Sequence, residues 1–431
     1  MTVDTARFAT RAVHAARSRE TAAPRATPIY LTAGFEFDDF DHAADHFGTG
    51  TGFGYTRTGN PTVHAAERQL AALESGADAV LVASGQAAVV TALLTVAGAG
   101  DHIVTSTHIY EGTRGLFLDN LARLGIETTF IDDIADPEAW RAAIRPTTRA
   151  LFAESLANAR NDVLDIAAIS AVADEAAIPL IVDNTLATPF LLRPIEHGAA
   201  IVVHSASKFL AGHGSVLGGV IVDDGRFDAE RAGHNAPHLV LPGRGGLPSV
   251  AARHGGRARI AYARESVAPR FGASPSPLNA FLIGQGAETL GLRVERQSRN
   301  ALAIAQWLEA QEAVESVDYV GLPSHPDHET AVRYLEGGFG SIFTFTLRDG
   351  LEAARRFVEQ VRVFTHMTHI GDVRSLVLHP GTTSHAQRTE EERELLGVRP
   401  GTLRLSIGIE DIADLISDLT RVLDATREAV A

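Results

Sequence analysis

The chain has 431 residues, 45% of them hydrophobic, which is enough apolar material for a sizeable core in two or three domains. Its formal net charge of −15 argues against nucleic acid or an anionic membrane as a partner, because such partners require a basic face. The chain has no cysteine, so disulfides, thiolate nucleophiles and zinc-thiolate sites are excluded.

Residues 1–60 are predicted to form an arm. They lack sustained periodicity, are rich in Gly, Thr and Phe, and end in GTGTGFGYTRTGNPT. We expect this arm to pack on something else, such as a neighbouring subunit. The first residues contain no apolar stretch of signal-peptide length, and no window of the sequence approaches a membrane span. A soluble cytoplasmic protein is therefore expected.

Residues 61–268 are predicted to form a large α/β domain. Short apolar runs rich in Val and Ile alternate there with helix-length stretches, which is typical of a mostly parallel sheet covered on both faces. Ligands of such sheets gather at the carboxyl ends of the strands. The seven runs span residues 79–84, 102–106, 128–132, 150–155, 179–184, 200–207 and 216–222.

The remaining sequence predicts a loop region and a second domain. Residues 226–268 are irregular, with GRGGLPSVAARHGGRAR in their middle, and are interpreted as a long loop region. Residues 269–431 begin with a helical stretch from Asn279 and later contain FGSIFTFTLRDG and TLRLSIGIE, which are interpreted as strands. These features predict a smaller C-terminal α+β domain.

Lys208 follows the sixth apolar run and is the only lysine in the chain, so 37 of the 38 Lys and Arg residues are arginine. Arginine supplies a positive charge but is a poor nucleophile and forms no Schiff base, so the retained lysine indicates that its amine reacts. Chance survival of one surface lysine is the alternative. Asp183 ends the neighbouring run, and an Asp and a Lys at adjacent strand ends suit pyridoxal phosphate, although Asp-Asn after a strand is often a simple turn.

Two further stretches carry candidate binding residues. Ser84, Gly85 and Gln86 open an apolar helix, whose first amides suit a phosphate, although a Ser cap with a Gly turn explains the same pattern. Tyr110, in the loop after the second run, could stack on a planar cofactor and act as an acid or base. The histidines offer no convincing metal-ligand spacing, so no metal is predicted; those considered are His204, His213, His379 and His385.

Together these residues resemble the Cys/Met-metabolism family of pyridoxal-phosphate enzymes. The resemblance spans nearly the whole chain and implies the aspartate-aminotransferase-like fold, fold type I, with a mostly parallel seven-stranded sheet in the large domain. The motifs that carry it are FGYTRTGNPT (53–62), ASGQAA (83–88), IPLIVDNTLATPF (178–190), AAIVVHSASKFLAGHGSVLGGVIVD (199–223), GDVRSLVLHPGTTSH (371–385) and LRLSIGIED (403–411).

The resemblance also implies a role for each matching residue. Lys208 corresponds to the lysine that forms an imine with the cofactor and then moves protons, and Tyr110 to the ring that stacks on it. Arg404 would pair with the substrate α-carboxylate, and Ser375 would lie in a loop lining the same site. The remaining residues would bind the cofactor: Ser84, Gly85, Gln86, Asn158, Asp183, Ser205 and Ser207 from one subunit, and Tyr55 and Arg57 from its neighbour in a dimer.

Within this family the chain resembles O-acetylhomoserine sulfhydrylases more than cystathionine synthases or lyases, on its length, the GHGSVLGG stretch and the pairing RSLV…HP. The implied reaction is γ-substitution of O-acetylhomoserine by sulfide or a small thiol, giving homocysteine or methionine, in a homotetramer. The sequence departs from the pattern at Ala159, at GTTSH and in residues 229–262, which bears on substrate choice. The alternatives are a cystathionine γ-synthase-like or γ-lyase-like enzyme and, in a different class, a nucleotide-binding or cofactor-free regulatory pseudoenzyme.

Overall fold

The seven predicted apolar runs each overlap one strand of a single sheet. The computed structural model describes residues 6–16, 24–49, 52–157 and 160–428. The strands are β1 (Asp78–Val82), β2 (His102–Ser106), β3 (Glu127–Ile131), β4 (Thr148–Glu154), β5 (Leu180–Asp183), β6 (Ile201–His204) and β7 (Gly219–Asp223). Their order is β1-β7-β6-β5-β4-β2-β3, and all neighbours are parallel except that β7 runs antiparallel to β1 and β6. The predicted mostly parallel sheet is confirmed.

Five more strands form a second sheet nearer the C-terminus. They are β8 (Val314–Asp318), β9 (Ile342–Leu347), β10 (Thr365–His366), β11 (Leu376–Leu378) and β12 (Thr402–Ser406). Their order is β10-β11-β12-β9-β8, and only β10 and β11 are parallel. The two predicted C-terminal strands are β9 and β12, which pair directly. The smaller α+β part is thus confirmed, whereas the boundary at residue 269 stays a prediction.

Helices cover both faces of the large sheet and one side of the small one. The α-helices are α1 (Phe8–His14), α2 (Phe40–Thr49), α3 (Pro61–Leu73), α4 (Gly85–Val96), α5 (Glu111–Gly115), α6 (Pro137–Ala143), α7 (Ile166–Glu175), α8 (Thr188–Leu191), α9 (Ala229–Ala232), α10 (Pro237–Val240), α11 (Val250–His254), α12 (Ala258–Tyr262), α13 (Ala268–Phe271), α14 (Pro277–Glu288), α15 (Leu290–Glu309), α16 (His328–Tyr334), α17 (Gly350–Gln360), α18 (Glu390–Leu395) and α19 (Ile412–Glu428). Within the described residues, no helix is both long and apolar enough to cross a membrane.

Local sequence signals account for the helix starts that matter most for the site. Asn60 caps α3, its side-chain oxygen accepting the Thr62 N–H at 3.0 Å, and Pro61 occupies the first helical position. Ser84 caps α4 through a bond from the Ala87 N–H at 3.2 Å. Helix α15 links the two parts of the molecule, since its first residues pack in the core of the large sheet and its last residues in that of the small one.

The prediction of a long loop over residues 226–268 is wrong. This stretch contains α9 to α12 and a π-helical segment, Ala263–Val267. Alanine favours helix here, whereas the Gly and Pro residues that suggested a loop only separate the short helices. Ile260, Ala263 and Val267 are buried, and the first two pack in the core cluster that contains α4.

The N-terminal arm divides into two parts. Helix α1 packs on its own chain, because Ala12 is buried and the Arg11 guanidinium donates to the Ala72 carbonyl at 2.6 Å. Helix α1 is thus held by its own chain, whereas the predicted contact of the arm with a neighbouring subunit stays a prediction. Further along, Leu31, Phe40 and Phe47 are 68%, 87% and 82% exposed. Large apolar side chains exposed to this degree are typical of an interface.

Gly219, the first residue of β7, should be intolerant of a side chain. A Cβ there would lie 2.0 Å from the Ser84 carbonyl oxygen and 2.9 Å from the Gly85 nitrogen. We expect Gly219→Ala to lose about 1–3 kcal/mol of unfolding free energy, measured by urea denaturation, because the start of α4 must move. Gly98→Ala, at an exposed position whose Cβ would approach nothing closer than 4.0 Å, is the control and should unfold like the wild type.

Candidate active site

A cavity of about 910 Å³ lies at the carboxyl ends of the central strands of the large sheet. Its wall combines residues from strand ends, from the start of α4 and from the second sheet. The lining residues that were predicted from the sequence are Ser84, Gly85, Gln86, Tyr110, Asp183, Ser205, Ser207, Lys208 and Arg404. They come from five separate segments of sequence, so the fold and not the local sequence brings them together.

Lys208 lies four residues beyond β6, with its Nζ 3.0 Å from Nδ1 of His369. Burial, together with the nearby charge of Arg404, lowers the Lys208 pKa to about 8. Burial and the Lys208 charge lower the pKa of His369 to about 4, so the ring is neutral and its Nδ1 can accept a hydrogen bond from the amine. Lys208 can thus be an uncharged amine near neutral pH, as a nucleophile or base requires.

Sequence reasoning missed His369. It lies two residues before the GDVRSLV motif, and that proximity to a family motif was the available signal. No helical or strand periodicity marks it, because it occupies the irregular segment between β10 and β11.

Asp183 ends β5 at the cavity wall. Its Oδ1 accepts hydrogen bonds from the Thr185 N–H at 3.0 Å and from the Thr185 hydroxyl at 2.6 Å. Desolvation raises the pKa of Asp183, while the Thr185 bonds and His204 act in the opposite direction. Behind it, His204 and the Asn184 side chain both contact Glu74, which fixes this strand end. A carboxylate held so rigidly in a desolvated wall suits a cationic partner such as a protonated pyridine nitrogen.

The start of α4 forms a cradle for an anion. A Cβ on Gly85 would lie 2.6 Å from the Cβ of Ser205, so only glycine lets the helix approach the turn before Lys208. Among the described residues, the amides of Gly85 and Gln86 have no hydrogen-bond partner, as expected for a first helical turn, and the buried Oε1 of Gln86 has none either. Free amides at a helix start bind phosphate. This cradle, Lys208 and Asp183 therefore fit pyridoxal phosphate.

Ser205 and Ser207 differ in the hydrogen bonds that they form within the chain. Ser205 donates its backbone N–H to the Thr185 hydroxyl at 2.8 Å. The Ser207 hydroxyl donates to the Gly218 carbonyl at 3.2 Å and accepts the Gly218 N–H at 3.0 Å. Ser207 thus already closes the turn that carries Lys208, in addition to any contact with a phosphate.

Tyr110 precedes α5 and is 51% exposed at the cavity. Its backbone N–H donates to the Glu154 carboxylate at 2.6 Å, which ties this loop to the end of β4. The ring lies over Gly112, where a Cβ would come within 2.5 Å of the Tyr110 Cε1. The loop backbone thus fixes the ring as one wall of the cavity.

Three predicted residues that the structure describes lie outside the cavity wall, and a fourth is not described. Ser375 is fully buried, not in the cavity wall, and bonds the Glu410 carboxylate through its N–H at 2.6 Å and its hydroxyl at 2.9 Å. Tyr55 and Arg57 lie outside the wall of their own chain's cavity, and Arg57 donates to the Pro269 carbonyl at 2.9 Å. Asn158 lies outside the described residues. In the described part of the chain, no cluster of His, Asp or Glu could hold a metal ion.

The pKa of Lys208 can be measured directly, because it is the only side-chain amine. In cofactor-free protein, acylation of Lys208 at increasing pH, followed by mass spectrometry of its peptide, should reach half its maximal rate near pH 8 and not near 10.5. Arg404→Gln removes a positive charge beside the amine and should move this midpoint to higher pH. Arg355→Gln, at an exposed position, should leave it unchanged, and a midpoint near 10.5 in the wild type would contradict the described environment.

Comparisons with known proteins agree with this geometry. The family described as Cys/Met metabolism PLP-dependent enzyme matches residues 9–424. The O-acetyl-L-homoserine sulfhydrylase of Corynebacterium glutamicum is 43% identical over 96% of this chain and 95% of its own, and the homocysteine synthase of Schizosaccharomyces pombe is 40% identical over 98% and 100%. A crystal structure of a Campylobacter jejuni protein assigned as an O-acetylhomoserine (thiol)-lyase, which contains N'-pyridoxyl-lysine-5'-monophosphate, is 34% identical with a TM-score of 0.93 over 97% of this chain and all of that one. The chain therefore belongs to the Cys/Met-metabolism family of PLP-dependent enzymes, and its cofactor is pyridoxal 5'-phosphate.

Proposed function

We propose that this protein catalyses γ-substitution on O-acetyl-L-homoserine, with sulfide or a small thiol as the second substrate, giving L-homocysteine or methionine and acetate. The observation that carries the proposal is the pairing of a lysine amine with a pKa near 8 and a buried arginine in one cavity. The names of the Corynebacterium and Schizosaccharomyces relatives support the choice of substrate and product.

Arg404 is the proposed anchor for the substrate α-carboxylate. It extends from β12 into the cavity, is 5% exposed, and donates to the Thr368 carbonyl at 3.3 Å. Burial lowers the pKa of its guanidinium to about 10, so the group still carries its charge at neutral pH. A planar guanidinium binds a carboxylate through two parallel hydrogen bonds, which would orient the amino acid before any proton moves.

Lys208 is the proposed proton carrier. When bound, pyridoxal phosphate supplies an electron sink for negative charge that develops at the substrate α and β carbons. The Lys208 amine removes first the α and then a β proton, acetate leaves from the γ carbon, and sulfide adds there. The protons then return in reverse order. His369 receives a hydrogen bond from the amine whenever the amine is free, which holds Nζ at the cavity wall.

The other predicted residues hold the cofactor in this proposal. Asp183 would pair with the pyridine nitrogen, Tyr110 would stack on the ring, and Asn158 would bond the ring oxygen. Ser84, Gly85 and Gln86 bind the phosphate, together with Ser205 and Ser207. The anion cradle at the start of α4 and the exposed ring of Tyr110 support these assignments.

The substrate proposal is tested with purified protein and a panel of esters. O-acetyl-, O-succinyl- and O-phospho-L-homoserine are each assayed with sulfide, methanethiol and cysteine, and we expect turnover to be highest with the acetyl ester and sulfide. Lys208→Arg keeps the charge but cannot form a Schiff base, so it should lose essentially all turnover and the visible absorption of the bound cofactor. Preference for cysteine would indicate a cystathionine synthase, and release of 2-oxobutyrate without thiol a lyase.

We further propose that the site is completed by a second copy of the chain, in a dimer that pairs into a tetramer. Tyr55 and Arg57 are exposed and lie outside their own chain's cavity, as expected of groups that serve a neighbouring site. The exposed apolar surface around Leu31, Phe40 and Phe47 supplies area for such an interface.

Subunit complementation tests this arrangement. Arg57→Gln and Lys208→Ala should each be nearly inactive alone, since each site lacks one required group. After subunit exchange, mixed dimers contain one intact site, so an equimolar mixture should recover about a quarter of wild-type activity. Light scattering gives the oligomeric state, and a mixture as inactive as its components, despite exchange, would contradict a shared site.

A further inference from the structure

Glu111 is the one charged residue of the described cavity wall to which no role has been assigned above. In the proposed function, Asp183 serves the cofactor ring and Lys208 and Arg404 serve the substrate, while the Glu154 carboxylate holds the Tyr110 backbone. His369 is the neutral partner of Lys208. Glu111 directly follows Tyr110, so it borders the space in which the rest of the substrate must lie.

Glu111 is paired with an arginine that lies behind it. Arg388 Nε donates to Glu111 Oε1, and Arg388 is only 7% exposed and is not part of the cavity wall. Within the described residues, Nη2 of Arg388 is buried without a hydrogen-bond partner. The Glu111 carboxylate therefore borders the cavity, while the Arg388 guanidinium that pairs with it lies behind the cavity wall.

The segment that contains Arg388, residues 383–392, also lines part of the cavity and is held by a second ion pair. Thr383 and Ser384 line the cavity a few residues before Arg388. Arg114 Nη2 contacts Glu392 Oε1 at 2.8 Å, away from the wall. Two ion pairs thus join this segment to α5, but only that of Glu111 places a charge at the cavity, which makes the other a matched control.

We propose that Glu111, backed by Arg388, determines which leaving group the enzyme accepts, by excluding esters whose acyl or phosphoryl group is an anion. The inference rests on the proposed γ-substitution and names its substrate class: homoserine esters with an uncharged acyl group. A terminal carboxylate or a phosphate in this space would meet a fixed like charge, whose partner Arg388 is already paired with it. An acetyl group carries no charge and meets no such penalty.

The test compares kcat/KM for O-succinyl- and O-acetyl-L-homoserine, with sulfide, in holoenzyme variants. Glu111→Gln keeps an oxygen for Arg388 but removes the negative charge, so the arginine becomes uncompensated. We expect the succinyl-to-acetyl ratio to rise at least about tenfold, because like-charge repulsion is replaced by attraction. Titrating the visible absorption with each ester, without sulfide, should show the same change in dissociation constants.

Glu392→Gln is the control, because it breaks the other ion pair without changing the charge of the wall; its ratio should match the wild type. Arg388→Gln provides the opposite change and should weaken binding of the succinyl ester, which also keeps the test decisive if Glu111→Gln folds poorly. A ratio within twofold of wild type in Glu111→Gln, or an equal rise in Glu392→Gln, overturns the proposal. Failure of the wild type to use O-acetyl-L-homoserine at all would instead contradict the proposed function.

Discussion

Helix α4 approaches the turn before Lys208 so closely that two positions have no room for a Cβ. Gly85 lies against Ser205, and Gly219 lies against the Ser84 carbonyl. This contact brings a helix start, with its unpaired amides, beside the only side-chain amine of the chain. Without it the phosphate cradle and the reactive group would face different parts of the cavity. The arrangement therefore depends less on any single polar contact than on backbone atoms packing at van der Waals distance.

The electrostatics of the cavity follow from which charges share its wall. Desolvation and Arg404 both disfavour the protonated amine of Lys208, and the same surroundings keep His369 neutral. The Asp183 carboxyl group, by contrast, is held in place by its hydrogen bonds with Thr185. A nearby cation would offset the cost of burying its negative charge. The protein thus places an amine that loses its proton readily and a buried carboxyl group at two neighbouring strand ends, each matched to a different part of the cofactor.

Much of this architecture could be predicted because the signals are local. Each of the seven Val- and Ile-rich runs overlaps a strand. Residues predicted at the ends of these runs, such as Asp183 and Lys208, line the cavity. The predictions that were wrong concern features that depend on tertiary packing. The 226–268 stretch forms helices because Ile260 and Ala263 find a core, and Ser375 turns inward because Glu410 binds it. The contacts of His369 and Arg388 join segments more than a hundred residues apart, which no local pattern reveals.

Because the chain has a single lysine, its structural ion pairs use other cations than the reactive amine of Lys208. In the described part of the chain, the ion pairs that join its elements use arginine or histidine as the cation, as in the pairs of Arg259 with Asp223 and of Arg264 with Glu67. Guanidinium groups stay protonated through mildly alkaline conditions, whereas the Lys208 amine loses its proton near pH 8. Between about pH 7 and pH 9 the charge of the reactive group therefore changes while the arginine framework around it does not.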